Sequence, residues 1–151
     1  MPVLVDSSLW VHQLRKSGDA GKRDRVNALL ESGEAAWCPV VRLELWRGVT
    51  SDAERKTLRR YETLLPDYEI SAEVWNRSIQ LADRARASGV TVPLADLLIL
   101  ACAKIHGLDV AHDDTTSTRY RNSRRDEDAG SVSASRGRAT SPLDDDASSC
   151  A

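Results

Sequence analysis

The chain has 151 residues and a formal net charge of -2. A chain of this length is expected to form one domain with a sizeable core, and its charge supplies no general basic field for binding nucleic acid. No apolar run is long enough to span a membrane, and the start of the sequence does not have the pattern of a signal peptide. The three cysteines are odd in number and widely spaced, which predicts reduced thiols in a cytoplasmic protein and argues against a disulfide framework.

The first stretch is a short aliphatic run that ends in a carboxylate. Val3-Leu4-Val5 shows no polar alternation, which predicts a strand buried on both faces in the middle of a parallel sheet. Asp6 follows at the carboxyl end of this strand, where α/β sheets bind their ligands. Ser7 and Ser8 then begin a predicted helix that runs to Leu14. Asp6 therefore either caps this helix only or also contributes to a site.

The middle of the chain alternates apolar and helical segments. We predict a helix over 24–30, a strand over 35–40, helices over 41–48 and 52–65, a short strand over 68–70 and a helix over 71–89. Pro39 weakens a central placement of its strand or marks the strand's end. Glu44 lies in the first turns of a helix that directly follows a strand. The basic residues of helix 52–65 form either a solvated face or a patch for a phosphate backbone.

A strongly apolar segment follows, with one acid in it. Pro93 suits a first helical position, and the helix after it is apolar nearly all round and therefore buried. Asp96 is costly there unless it is hydrogen-bonded by first-turn backbone N–H groups, paired, or bound to a metal. Gly107 ends the helix, and a strand over 108–111 leads to His112, Asp113 and Asp114.

These serial strand–helix units predict an α/β domain whose central, mainly parallel sheet is flanked by helices. The composition then changes at Thr115. Val132 and Leu143 are the only Val, Leu or Ile from there to the end, so we predict a disordered tail over 115–151.

Four acids occupy comparable places along this pattern: Asp6, Glu44, Asp96 and one of Asp113 and Asp114. Parallel strands bring such places to one edge of the sheet, and crowded carboxylates need a cation. Oxygen ligands suit Mg²⁺ or Mn²⁺, which can activate water against a phosphodiester. The histidines do not have zinc-ligand spacing, and neither a glycine-rich phosphate loop nor a nucleophile-elbow motif is present.

The chain resembles the PIN-domain ribonucleases, specifically the VapC toxins of bacterial VapBC toxin–antitoxin pairs. Four stretches of residues 1–114 carry the resemblance: Val3 to Trp10, Arg42 to Gly48, Pro93 to Ala101, and His112 to Asp114. The resemblance implies a PIN-like fold over residues 1–114.

The resemblance also implies roles for the acids. Asp6 and Asp96 would be direct Mg²⁺ ligands, and Glu44 would complete the catalytic pocket. Asp114 would be the fourth catalytic acid, with Asp113 as the second choice.

The same resemblance implies the substrate and the partners. The substrate would be RNA, such as tRNA, rRNA or mRNA, cut endonucleolytically, and Arg42 and Arg47 would contact its phosphates. The expected partners are a VapB-type antitoxin over the acids and a second copy of the chain, in the cytoplasm and without a membrane.

Two other functions fit parts of the pattern. A PIN-like scaffold that binds RNA or an antitoxin without cleaving is the main alternative, and the unusual C-terminus favours it. A metal-dependent phosphatase would use the same acids but has no further motif in its support.

The tail suggests a frameshift. The family continues after its fourth acid with a D-x-[DH]-F motif, which Thr115 to Asn122 lack. If each triplet takes the last base of the preceding codon, synonymous codons allow the string His-Asp-Phe-Asp-Ala-Ile-Pro-Glu, which restores the motif. We therefore predict that the tail is a frameshift product lacking the last helix and strand, with impaired activity. The nucleotide sequence after the Asp114 codon tests this prediction.

Overall fold

A computed structural model describes residues 1–113 of the chain, which form an α/β fold. The elements are β1 (Val3–Val5), α1 (Ser7–Leu14), α2 (Ala20–Glu31), β2 (Ala35–Ala36), α3 (Pro39–Gly48), α4 (Asp52–Leu64), α5 (Ala72–Ala87), α6 (Leu94–His106) and β3 (Asp109–Ala111). The strands of this part of the chain form one parallel sheet in the order β2-β1-β3. The predicted fold class, a parallel sheet flanked by helices, is confirmed.

Strand β1 lies at the centre of the sheet, as its unbroken aliphatic sequence predicts. Leu4 pairs with Ala36 on one side and with Val110 on the other, and its side chain is fully buried. The indole of Trp10 on α1 donates a buried hydrogen bond of 3.0 Å to the carbonyl of Val5. This bond ties the first helix to the strand before it and so fixes the turn that carries Asp6.

Polar side chains start several of the helices. Asp19 and Ser71 each accept a hydrogen bond from a backbone N–H in the first turn of α2 and α5, respectively. Ser51 and Glu54 form a reciprocal capping box at the start of α4. Helix α6 ends at Gly107, whose positive φ of 67° is the left-handed conformation that glycine adopts without strain.

Helix α6 supplies much of the core, as its apolar sequence predicts. Its buried residues are Leu97, Leu98, Ile99, Ala101, Cys102 and Ala103. It packs against α5 and α3. The helix that carries Asp96 is therefore in contact with α3, the helix that carries Glu44. Cys38 and Cys102 are free, buried thiols, as predicted.

Some predicted boundaries are wrong. Residues Tyr68–Ile70 form no strand; the preceding Asp67 makes a single bridge to Trp37. The backbone N–H of Tyr68 still donates to the carbonyl of Trp37 at 2.9 Å, but the carbonyl of Tyr68 accepts a hydrogen bond from the thiol of Cys102 on α6. The pairing therefore stops at this bridge. Helix α2 begins at Ala20 rather than Asp24 because Asp19 caps it. Pro39 lies in the first turn of α3, which its fixed φ and missing N–H favour, and this shortens β2.

Within residues 1–113, no helix has both the length and the apolarity needed to cross a membrane. The predicted tail over 115–151 and the fourth acid Asp114 lie outside the described residues.

Candidate active site

Asp6 lies at the carboxyl end of β1 and also caps α1. It therefore fits both predictions from the sequence, a helix cap and a residue at the ligand-binding edge of the sheet. Its backbone N–H donates to the carbonyl of Ala111 at 2.8 Å, which continues the pairing of β1 with β3. Its Oδ2 atom accepts hydrogen bonds from the backbone N–H of Ser8 at 3.1 Å and from the Ser8 hydroxyl at 2.5 Å. The carboxylate is only half-buried. A cap that is also accessible at the carboxyl edge of the sheet can take part in chemistry.

Glu44 lies past the first turn of α3 and is also half-buried. Its Oε2 atom accepts a hydrogen bond of 2.7 Å from the hydroxyl of Ser7. Consecutive serines at the start of α1 therefore hold the carboxylates of Asp6 and Glu44. The sequence predicts Ser7 and Ser8 only as residues that begin α1, and the structure gives both a further role. Their position directly after Asp6 is the signal for that role.

Asp96 lies in the first turn of α6, as predicted, and is half-buried. Within the described residues no group of three or more histidine, cysteine, aspartate or glutamate side chains is close enough together to hold a metal ion. The structure brings the carboxylates of Asp6 and Glu44 to the start of α1. That Asp96 joins them around one metal ion remains a prediction. The fourth predicted acid, Asp114, lies beyond residue 113.

Asp113, the second choice for the fourth acid, has a different environment. It is buried at the end of the segment after β3, and its Oδ2 atom lies 2.5 Å from the ammonium of Lys22 on α2. The imidazole of His12 on α1 approaches the same oxygen at 3.4 Å. Asp113 therefore already has cationic and hydrogen-bonding partners, whereas Asp6 and Glu44 accept from serines.

Comparison with known proteins decides the family. The sequence model of the PIN domain matches residues 3–122 of the chain. The chain belongs to the PIN-domain family. The match passes Asp114, where the resemblance in the sequence was expected to end.

Relatives place this PIN domain more closely. Ribonuclease VapC21 of Mycobacterium tuberculosis is 30% identical over 95 residues, which are 61% of this chain and 69% of that protein. This PIN domain is therefore of the VapC type.

Solved structures confirm the PIN-like fold. A chain in the crystal structure of VapBC2 from Rickettsia felis, bound to a DNA fragment from its promoter, superposes with a TM-score of 0.66. The match covers 81% of this chain and 95% of that one at 18% identity. VapC20 of Mycobacterium tuberculosis, described as a sarcin-ricin loop cleaving toxin, gives a TM-score of 0.56 at 17% identity, over 77% of this chain and 95% of that one.

The two arginines predicted to contact RNA have different surroundings in this PIN domain. Arg42 forms an ion pair of 3.0 Å with Asp67, and burial raises the pKa of Asp67 while the guanidinium of Arg42 partly offsets that rise. Arg47 is exposed and lies three residues after Glu44, which places it one turn away on the same side of α3. Arg47 is therefore better placed than Arg42 to reach a phosphate near Glu44.

Proposed function

We propose that this VapC-type PIN domain is a Mg²⁺-dependent endoribonuclease, the toxin of a toxin–antitoxin pair. The observation that carries the proposal is the partial burial and the hydrogen bonding of Asp6 and Glu44. Both carboxylates are half-buried at the carboxyl edge of the sheet, and within residues 1–113 their hydrogen-bond donors are serine hydroxyls and one backbone N–H. Partly buried carboxylates held by neutral donors retain charge that a cation can balance.

The donor atoms suit the proposed ion. Carboxylate and hydroxyl oxygens are hard ligands of the kind that Mg²⁺ and Mn²⁺ prefer. Asp6 and Asp96 would bind the metal, with Glu44 and Asp114 completing the set of acids. When bound, Mg²⁺ would activate water and stabilise the charge that develops on a phosphodiester under attack. The chain's own contribution is to hold these oxygens: Ser8 fixes Asp6, and Ser7 fixes Glu44.

RNA is the proposed substrate, whether tRNA, rRNA or mRNA. Arg47 and, more weakly, Arg42 would bind its phosphates. Helix α4 adds the exposed basic residues Arg55, Lys56, Arg59 and Arg60. These local charges matter because the net charge of -2 gives no attraction from the protein as a whole.

The proposed partners are a VapB-type antitoxin and a second copy of the chain, in the cytoplasm. A cavity beside Glu44 supports the antitoxin proposal. Its lining includes the apolar side chains of Val11, Leu14, Leu45 and Val49. The charged lining residues are Glu44, Glu54 and Arg15, so one negative charge is in excess. A partner segment with an apolar side chain next to a basic one would fill the cavity and also neutralise Glu44.

Cleavage of total RNA by the purified full-length chain tests the proposal. We expect fragments with Mg²⁺, none after chelation with EDTA, and none from Asp6→Asn. The control Asp83→Asn changes an exposed acid on α5 that pairs with Arg86 on the surface, and it should cleave like the wild type. Metal-independent cleavage, or full activity in Asp6→Asn, would overturn the proposed site. RNA binding without cleavage would support the alternative of a non-cleaving scaffold.

A further inference from the structure

Asp113 is a buried carboxylate with an internal counter-ion. It is 8% exposed, and among residues 1–113 the other buried polar side chain is that of Ser78. Burying a carboxylate is costly unless it is paired and hydrogen-bonded. Lys22 meets this requirement, with its Nζ atom 2.5 Å from Oδ2 of Asp113. The side chain of Lys22 is 30% exposed, so α2 reaches in from the surface to neutralise the end of the β3 segment.

His12 is oriented toward the same carboxylate. Its Nδ1 atom accepts a hydrogen bond of 3.1 Å from the backbone N–H of Asp19, so the neutral ring carries its proton on Nε2. That Nε2 atom lies 3.4 Å from Oδ2 of Asp113. The loop before Asp19 is shaped for this contact, because a Cβ atom at Gly18 would lie 2.0 Å from the carbonyl oxygen of His12. Two elements, α1 and α2, thus converge on one carboxylate.

Asp113 is also linked to Asp6. The backbone N–H of Asp113 donates to the hydroxyl of Ser8 at 3.1 Å, and that hydroxyl donates its single proton to Oδ2 of Asp6 at 2.5 Å. The side chain of Arg25 donates a hydrogen bond of 3.2 Å to the carbonyl of His112, which further fixes the segment after β3. Hydrogen bonds in such a chain strengthen one another. The position of the Asp113 backbone therefore determines how firmly Ser8 orients Asp6.

We propose that Asp113 is a positioning residue and not a metal ligand. Its pair with Lys22 holds the segment after β3 against α1, and Ser8 passes this constraint on to Asp6. A metal ion on this carboxylate would lie close to the ammonium of Lys22, which is 2.5 Å from Oδ2, and the two cations would repel. Asp114 keeps the role that the proposed function gives it. This inference rests on the proposed function, because it assigns roles at the proposed metal site.

A substitution that removes the charge of Lys22 distinguishes a positioning role of Asp113 from a role as metal ligand, because the two roles predict opposite changes in metal affinity. The probe is Mn²⁺ alone, titrated into the full-length chain and followed by electron paramagnetic resonance. A positioning role predicts that Lys22→Met weakens Mn²⁺ binding, by about tenfold as is common when a group supporting a metal ligand is lost. Lys22→Arg should retain most of the affinity. The matched control is Lys16→Met, which removes one positive charge from the exposed turn after α1 and should leave the affinity for Mn²⁺ unchanged.

The opposite result would overturn the inference. If Asp113 were a direct ligand, Lys22→Met would remove a competing cation and Mn²⁺ would bind more tightly. Unchanged affinity would equally exclude the positioning role. Lys22 is partly exposed, so Lys22→Met is expected to fold, and circular dichroism checks this.

RNA cleavage by two neighbouring variants gives an independent readout. Asp113→Asn should raise the Mg²⁺ concentration at half-maximal rate by about tenfold and recover most of kcat at saturating Mg²⁺. Asp114→Asn should lose kcat at every Mg²⁺ concentration. If Asp113→Asn does not fold, the Mn²⁺ titration of Lys22→Met decides alone. A wild-type chain that neither binds Mn²⁺ nor cleaves RNA overturns the proposed function itself, whereas a cleaving wild type with tighter Mn²⁺ binding in Lys22→Met overturns only this inference.

Discussion

The hydroxyl of Ser7 donates a hydrogen bond of 2.7 Å to the carboxylate of Glu44, which is 37 residues away in the sequence. The bond joins the first residue of α1 to α3, two helices that pack against each other. Ser8, the next residue, bonds to Asp6. Two adjacent serines thus set the spacing between two carboxylates of the proposed site.

Ser7→Ala should therefore lower the rate of RNA cleavage more than it lowers stability. The loss of one side-chain hydrogen bond costs about 1 kcal/mol of unfolding free energy. Loss of the orientation of Glu44 should reduce kcat about tenfold, as for other groups that support a site residue. Ser7→Thr keeps the hydroxyl and should restore most of the rate. Steady-state cleavage of a defined RNA and urea unfolding measure the two quantities, and equal rates for Ser7→Ala and Ser7→Thr would contradict the role.

Asp96→Asn tests whether the acid on α6 shares the proposed site. Asn keeps the size of the side chain but loses the negative charge, so Mg²⁺ binding should weaken and cleavage should be lost. The fold should remain intact, because Asn keeps the size of the side chain and the lost interaction of the charge with the start of α6 is typically worth about 1 kcal/mol. Calorimetric titration with Mg²⁺ and thermal unfolding without metal measure both effects. Full metal-dependent activity in Asp96→Asn would show that the site lies elsewhere.

The sequence predicted the elements that place the acids better than it predicted their partners. The aliphatic run of β1 and the apolar length of α6 are local signals, and both elements lie where they were expected. The bond between Ser7 and Glu44 and the pair between Lys22 and Asp113 depend on how helices pack, so residue spacing alone could not reveal them.

The segment at 68–70 shows the same limit. Its residues have strand propensity, yet the thiol of Cys102 and the ring of His106 contact its carbonyl oxygens. Those contacts come from α6, a helix distant in sequence, and only the bond from the N–H of Tyr68 to the carbonyl of Trp37 remains as strand-like pairing of 68–70 within the described residues. Tertiary contacts of this kind override local preference in short segments.

Arg47 should contribute more to RNA binding than Arg42. The guanidinium of Arg42 is engaged by Asp67 at 3.0 Å, whereas Arg47 is exposed one turn from Glu44. We expect Arg47→Gln to raise the dissociation constant for RNA and to reduce its dependence on salt, since one fewer counterion is released. Arg42→Gln should mainly lower stability, because it leaves Asp67 without its charge partner. Binding to the inactive Asp6→Asn background at several salt concentrations separates the two variants, and a larger loss of binding from Arg42→Gln would reverse the assignment.

Glu54 should make the start of α4 sensitive to acid. Its Oε2 atom accepts hydrogen bonds from the backbone N–H of Thr50 at 2.7 Å and of Ser51 at 3.3 Å. The bonds from Thr50 are the main cause of a pKa for Glu54 below its ordinary value. A lowered pKa in the folded state means that the contribution to stability is complete above the ordinary pKa of about 4.3 and is lost as the pH falls through the lowered value.

Glu54→Gln should therefore destabilise the protein at pH 7 and have progressively less effect as the pH falls below about 4. The matched control is Glu73→Gln, which changes a first-turn glutamate of α5 that has no capping bond within the described residues. Urea unfolding at a series of pH values measures the difference in unfolding free energy between each variant and the wild type. For Glu54→Gln the difference should shrink toward acid pH, and for Glu73→Gln it should stay small throughout. A difference for Glu54→Gln that is constant from neutral to acid pH would show that the charge of Glu54 does not stabilise the cap, and that the shape of the side chain alone supports α4.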